Sequence, residues 1–225
     1  MDRWILYHGS SKIISLPDPE GKAAFNDFGG GFYLTESREA AGQWACGLGR
    51  DGFINRYELT LKGLKVLDLG SEEYSILNWL ALVMSHRKFR VSEASFALGL
   101  DYILENFSVD ISGYDVIKGN RADEIYFFFS RAFLSGKISL GQFKDLMKLG
   151  PLGEQTVLKS RKAFEALSFV SLEGADAVYS YPKKKSRNDD ALATYYAAVD
   201  FGDEKGLYIG DILREEVREG DERIR

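Results

Sequence analysis

The chain has 225 residues, 45% hydrophobic and 28% charged, with 29 Lys+Arg against 34 Asp+Glu and a net charge of −5. This balance suits one large domain, or a domain with an appended piece. It excludes wholesale disorder and a general nucleic-acid coat, which needs a basic excess, but leaves room for a local basic patch. Cys46 is the sole cysteine and there are 2 histidines, so neither a disulfide framework nor a Cys or His-rich metal site is expected.

No stretch approaches the ~20 apolar residues of a membrane span. MDRWILYHGS has no signal-peptide pattern, so the expectation is a cytoplasmic protein with no membrane partner. RWILYHGS alternates Trp4 and Leu6 with Ile5 and Tyr7, which predicts a strand ending at His8-Gly9. Residues 15–31 hold Pro17, Pro19, Gly21 and three closing glycines, a loop. GFYLT is a short strand. Thr35 then caps a helix with Glu36 and Glu39 in its first turn. Ala40, Ala41, Trp44, Ala45 and Leu48 share a face of that helix, which Gly47 and Gly49 end.

FINRYELT (53–60) and LKVLDL (64–69) are strands. Ser71 opens a helix through Arg87, with Tyr74, Leu77, Leu80 and Met84 at helical spacing, and Ser92 opens a second to about Phe107. YDVIKG (114–119) is a strand. ADEIYFFFSRAFLSG is a helix by its length despite the Phe127–Phe129 run. Ser139 caps a helix that ends at Gly150-Pro151. EQTVLKS (154–160) is a strand, RKAFEALSF a short helix and ADAVYSY (175–181) a last strand.

The composition changes after Pro182, where KKKSRNDDALATYYAAV and LYIGDILREEV read as two helices. The expected organisation is a domain over 1–181 with a helical appendage over 182–225 packed on it. Short strands alternate irregularly with helices, without a βαβ rhythm, so the class is α+β.

Four features carry candidate chemistry, each with a plain structural role as the alternative. His8 sits at a strand end. Gly29-Gly30-Gly31 permit positive φ and close approach, or simply make a turn. No GxGxxG lies between a strand and a helix and no GxxxxGK[ST] occurs, so a Rossmann or P-loop site is not supported. Tyr33 and Trp44, eleven positions apart, can face one another across a planar ring, best a cationic one, or pack as core aromatics. Glu154-Gln155 sets a carboxylate and an amide at the start of a late strand. Beside these, Asn120, Arg121 and Asp123 form a polar group after a strand, where Asn120 can cap a helix. Lys183 to Arg187 is a basic cluster that suits RNA, DNA, an acidic partner or merely solvent.

Together, YHGS ending strand one, G-x-Y-[LF] in strand two with an aromatic eleven residues on, and E-Q opening a late strand resemble the ADP-ribosyltransferase superfamily. The branch is the His-Tyr-Glu one related to diphtheria toxin and poly(ADP-ribose) polymerases. The runs YHGS, DFGGGFYLT, QWA, YDVIKGNRADEIYF, LGEQTVLKS and KAFEALSF, from Tyr7 to Phe169, look like an uncharacterised bacterial family within it.

The resemblance implies two small, mainly antiparallel sheets around an NAD cleft, with peripheral helices. NAD is then a substrate, and no metal is implied. His8 bonds the adenosine ribose, and the Gly9 backbone holds the nicotinamide carboxamide. Tyr33 stacks on the nicotinamide and Trp44 closes its other face. Ser10, Gly31, Phe32 and Thr35 complete the cofactor surface, and Arg121 lies near the phosphates or the acceptor. Ala41 stands where polymerase relatives carry a carboxamide-binding Ser.

The signature Glu aligns with Gln155, with Glu154 one position before. The bond to be broken passes through an oxocarbenium-like state that a carboxylate stabilises, and Gln brings no charge. Three outcomes follow: Glu154 substitutes, Gln155 suffices with a base from the target, or NAD binds and little is transferred. The implied activity is mono-ADP-ribosyl transfer to a protein or nucleic-acid acceptor by a bacterial toxin or defence effector, with an antitoxin or regulatory partner. The alternatives are a weak or inactive NAD or ADP-ribose binding module, and an interaction protein whose cleft is filled by Tyr33 and Trp44.

Overall fold

The computed structural model describes residues 3–19, 26–91, 93–149 and 153–225. The first strand, β1 (Arg3–Ser10), is followed by β2 (Phe32–Thr35), α1 (Arg38–Ala45), β3 (Gly52–Thr60) and β4 (Val66–Asp68). Two helices, α2 (Ile76–His86) and α3 (Ala94–Phe107), lead to β5 (Val116–Asn120), α4 (Glu124–Leu134) and α5 (Leu140–Met147). The remainder is β6 (Glu154–Leu158), α6 (Arg161–Glu165), β7 (Leu167–Ala175), α7 (Ala177–Phe201) and α8 (Ile209–Arg214).

The class is α+β. Among the described residues the seven strands form one mixed sheet in the order β4-β5-β6-β2-β1-β3-β7, parallel only between β4 and β5. One hydrogen-bonded sheet therefore stands where two were expected. β1 runs with β3 from Arg3↔Thr60 to Ser10↔Phe53, but meets β2 only at Tyr7↔Thr35. The sheet is pinched there, and His8–Ser10 of β1 pair with no residue of β2.

Helices α2 to α5 bury Leu77, Leu80, Ile103, Phe129, Phe133 and Phe143 in the largest core, which covers β4, β5 and β6 through Leu67, Ile117 and Val157. Ala191 and Tyr195 of α7 and Ile209 and Ile212 of α8 belong to that same core. The composition change at Pro182 falls inside α7 rather than between elements. A second cluster, with Leu6, Leu34, Tyr57 and Leu158, lies under α6. A third seats α1 on β1 and β3 through Ala41, Ala45 and Ile54.

That last contact depends on Gly9. A Cβ there would lie 1.8 Å from the Ala41 carbonyl oxygen and 2.8 Å from the Ala45 nitrogen, both backbone atoms of α1. Helix backbone cannot step aside as a side chain can. Gly9→Ala is expected to cost about 3 kcal/mol or more. A shift in urea midpoint of the purified variant measures it, and a shift worth under ~1 kcal/mol would contradict the packing.

Several local expectations are corrected. Ser37, not Thr35, caps α1, its side chain accepting from the Ala40 amide. Thr35 is still inside β2, where its hydroxyl donates to the Glu154 carbonyl and accepts from Ser37 N. Leu48 lies beyond the helix and is exposed. Ser75, not Ser71, caps α2, because Asn78 at its third position completes a capping box, and Tyr74 stays in the preceding turn. The residues Ser92 and Gly150-Pro151 fall outside the described ones. Residues 167–175 are strand β7 on β3, where a helix was expected to extend through Phe169. ADAVYSY is not a strand: Asp176 accepts from the Val178 amide and starts α7, which continues through Pro182.

Candidate functional site

A cleft of about 430 Å³ opens at the pinch between β1 and β2. His8 of β1, Gly31, Phe32 and Tyr33 at the start of β2, Trp44 of α1 and Gln155 of β6 stand in its wall. Residues of three strands and a helix, far apart in the chain, meet there because the sheet order sets β6, β2 and β1 side by side. Gly9, Ser10, Thr35 and Glu154 of the expected site are not wall residues. Ile14, Asn26, Asp27, Arg87, Arg121 and Asp123 are.

The His8 ring packs on Phe32 at 4.6 Å, and its Nδ1 lies 2.7 Å from the Tyr33 carbonyl oxygen. A carbonyl only accepts, so Nδ1 carries the hydrogen. Burial holds the imidazole below its usual pKa, partly offset by that hydrogen bond. The ring is thus neutral at pH 7, with Nε2 left as an acceptor. Between the lowered folded pKa and 6.5 the unfolded chain binds more protons than the folded one. His8 therefore adds a stability that is complete above pH 6.5 and lost as the pH falls through that window. His8→Gln is expected to flatten the difference in urea midpoint between pH 7.5 and pH 5; an unchanged slope would place the titrating group elsewhere.

Tyr33 presents a ring and no chemistry at its oxygen. Its hydroxyl donates to the Gly29 carbonyl at 2.8 Å and accepts from the Phe28 amide at 2.9 Å. Burial, with the nearby Asp27 charge, pushes its pKa well above the usual phenol value. Gly31 has a φ of +153°, and a Cβ there would lie 2.6 Å from the Leu158 carbonyl oxygen, so the approach of β6 by itself requires glycine at this point of the cleft wall.

Trp44 and Tyr33 both stand in the cleft wall, but the Trp44 ring is already engaged: the Arg121 guanidinium lies over it, 4.4 Å from its centre. Arg121 is 3% exposed and donates to Asp123 Oδ2 at 3.0 Å. Burial lowers its pKa to about 10, which leaves it charged at pH 7. Arg187 of α7 reaches the same carboxylate oxygen at 3.1 Å and donates to Gln43 of α1 at 2.7 Å. Helix α7 is thereby wired to the floor of the cleft. Asn120 caps nothing; Asp123 is the N-cap residue of α4.

Gln155 and Glu154 point to opposite faces of β6, as strand alternation requires. Glu154 pairs with Lys118 at 2.9 Å, and Lys118 also holds Glu36 at 3.2 Å. This corrects the expectation that Glu154 stands at the site. Gln155 is 3% exposed, and its Nε2 donates to Asp27 Oδ2 at 3.0 Å and towards the Asn120 carbonyl at 3.4 Å. A carboxylate cannot donate, so the amide is oriented with nitrogen inward and Oε1 towards the cleft.

Asp27 is the carboxylate that sequence reasoning missed. It is 8% exposed, pairs with Arg87 Nε at 2.8 Å and accepts from the Ala122 amide at 3.1 Å. Arg87 was read only as the end of a helix. The signal for Asp27 was slight: a single acid before a glycine run in an irregular loop. Lys159 ties that loop down by donating to the Phe28 and Gly30 carbonyls at 2.7 and 2.6 Å.

The cleft thus offers two uncharged acceptors, His8 Nε2 and Gln155 Oε1, beside the Tyr33 ring. Around them are Arg87, Arg121 and, behind, Arg187, against Asp27 and Asp123. Such a wall fits a ligand with hydroxyl donors, a flat ring and an anionic part. Among the described residues no group of His, Cys, Asp and Glu is arranged to hold a metal ion. Nor is any described helix long and apolar enough to cross a membrane.

No curated protein and no solved structure is significantly similar to the chain. Residues 4–169, most of its length, match the family described as a protein of unknown function (DUF3990), and the chain belongs to that family.

Proposed function

We propose that the chain is an NAD-dependent mono-ADP-ribosyltransferase acting on a macromolecule, with an ADP-ribosyltransferase-like fold. The observation that carries this reading is the convergence of His8, Tyr33 and Gln155 on one cleft from three adjacent strands. NAD supplies the activated glycosidic bond, and the chain supplies position and charge. His8 Nε2 and Gln155 Oε1 accept from ribose hydroxyls, and Tyr33 stacks on the nicotinamide. Trp44, one face of which holds the Arg121 guanidinium, supplies the second ring. Asp27 sets its negative charge one hydrogen bond behind Gln155 and stabilises positive charge developing at the ribose, more weakly than a direct carboxylate.

The second reading, an NAD or ADP-ribose binding module with little turnover, is favoured by one observation: Glu154 faces away and is held by Lys118. Labelled NAD incubated with the protein and a cell lysate separates the two. Transfer of label to macromolecules, falling at least ~100-fold in His8→Ala and Tyr33→Ala, supports the transferase. Glu154→Gln is expected to transfer like the wild type, since its side chain is outside the cleft. NAD that binds but is neither cleaved nor transferred supports the binding module. No NAD binding at all sinks both readings.

A further inference from the structure

A second groove, of about 180 Å³, has Arg90, Phe96, Phe128, Arg131, Lys137 and Tyr195 in its wall. Glu93 is its one acidic wall residue among the described ones. Several surface cations of this acidic chain find carboxylates, as Arg3, Arg38 and Lys185 do. Arg90, Arg131 and Lys137 form no ion pair among the described residues. The stretch that carries Arg90 is locally basic: HRKFR at 86–90 holds Arg87, Lys88 and Arg90 without an acid.

The groove is also aromatic. Phe128 is 38% exposed and meets Tyr195 edge-on at 4.8 Å, and the exposed Tyr196 lies 5.4 Å from Tyr195. It is joined to the cleft by consecutive contacts. Arg87, which holds Asp27 in the cleft wall, lies over Phe127 at 4.7 Å. Phe127 touches Phe89 at 5.6 Å, and Phe89 touches Phe96 of the groove at 5.9 Å.

From this we infer that the groove binds single-stranded nucleic acid and leads it to the cleft as the acceptor. Unpaired Arg and Lys recognise phosphates whatever the sequence, and exposed rings stack on bases. A duplex hides its base faces from Phe128, and an acidic peptide has no flat faces to offer it. The binding stands by itself; the role as acceptor rests on the transferase reading. In that role an acceptor atom bonds to ribose C1′ as nicotinamide leaves with the electrons of the broken bond, and any proton on the acceptor passes to solvent.

The test is fluorescence anisotropy of the full chain with a labelled single-stranded oligonucleotide, over a salt series and without NAD. The wild type is expected to bind, and competing duplex or polyglutamate to displace the strand poorly. Arg90→Ala, Arg131→Ala and Lys137→Ala combined should weaken binding at least ~10-fold and lower the salt slope by about 2, roughly 0.7 per cation lost. Phe128→Ala should weaken it about 10-fold, from a stacking loss of ~1–3 kcal/mol per base. Lys184→Ala, in the basic run of α7, should change nothing. No binding at low salt, a triple variant that binds equally, or equal displacement by polyglutamate overturns the inference. Adding labelled NAD then tests the acceptor role separately. Label on the oligonucleotide, reduced in the triple variant, supports both; binding without label retains the groove and overturns the acceptor role, while transfer in the lysate assay decides the transferase reading.

Discussion

Gln155→Glu is expected to be folded and stable at pH 4 and to lose about 3 kcal/mol by pH 7. The new carboxylate would stand where Gln155 Nε2 now lies 3.0 Å from Asp27 Oδ2, and both residues are buried. Two carboxylates at that distance cannot both ionise, so the pair retains a proton and one pKa rises. A rise of about two units, at 1.36 kcal/mol per unit, gives the stated loss. The sign follows from proton counting. The unfolded Glu ionises near 4.3 and the folded pair later, so the folded state binds more protons in between and stability falls as pH rises through the window. Urea midpoints at pH 4, 5.5 and 7 read this directly, and a variant as stable as wild type at pH 8 would show that the two side chains do not touch. Asp27→Asn in the same chain removes the repulsion and leaves one carboxylate, now facing the cleft. Part of the stability should return, less the lost Arg87 pair. If the transferase reading holds, that double variant should also turn over NAD at least ~10-fold faster than wild type, because its charge is in direct reach of the ribose.

The dyad also shows where sequence reasoning works and where it stops. His8, Tyr33 and Gln155 were legible through the order and spacing of the motifs in the resemblance; alternation alone would part them, since the pairings Tyr7↔Thr35 and Thr35↔Gln155 set Tyr33 and Gln155 on one face of the sheet and His8 on the other. The same alternation turns Glu154 away, although adjacency in sequence made it a candidate. Asp27 was not legible. It meets Gln155 across 128 positions of chain, from a loop without periodicity. Strand β7 escaped because it is an edge strand, half solvated, with Val170 and Leu172 exposed, so its pattern is weak. VYSY has β-forming side chains, yet the Asp176 cap decides for a helix. The pinch at Tyr7↔Thr35 makes one sheet out of an expected two and opens the cleft. It is a property of strand register between distant segments, which no local pattern encodes.

Asp123→Ala is expected to destabilise the chain by about 3–5 kcal/mol, as removal of one partner from a buried ion pair does. The side chains of Arg121 and Arg187 are 3% and 10% exposed, and Asp123 Oδ2 is the one carboxylate oxygen they share. Without it two like charges face each other with little water to screen them. Arg121 has least to spare, since burial already lowers its pKa and the Asp123 charge is the first influence that offsets this. The α4 N-terminus also loses the negative charge at its N-cap, a further ~0.5 kcal/mol. Adding Arg187→Met should recover part of the loss by removing one of the stranded charges while keeping bulk. The consequence reaches beyond stability. Arg187 lies on α7, beyond residues 4–169, and Arg121 covers Trp44 in the cleft. Loss of their common anion should therefore expose α7 to proteolysis and, if the chain binds NAD as proposed, weaken that binding, whereas an ordinary core defect would raise proteolysis everywhere. A cost below ~1 kcal/mol would mean that the guanidiniums are solvated and that helix α7 is not coupled to the cleft through them.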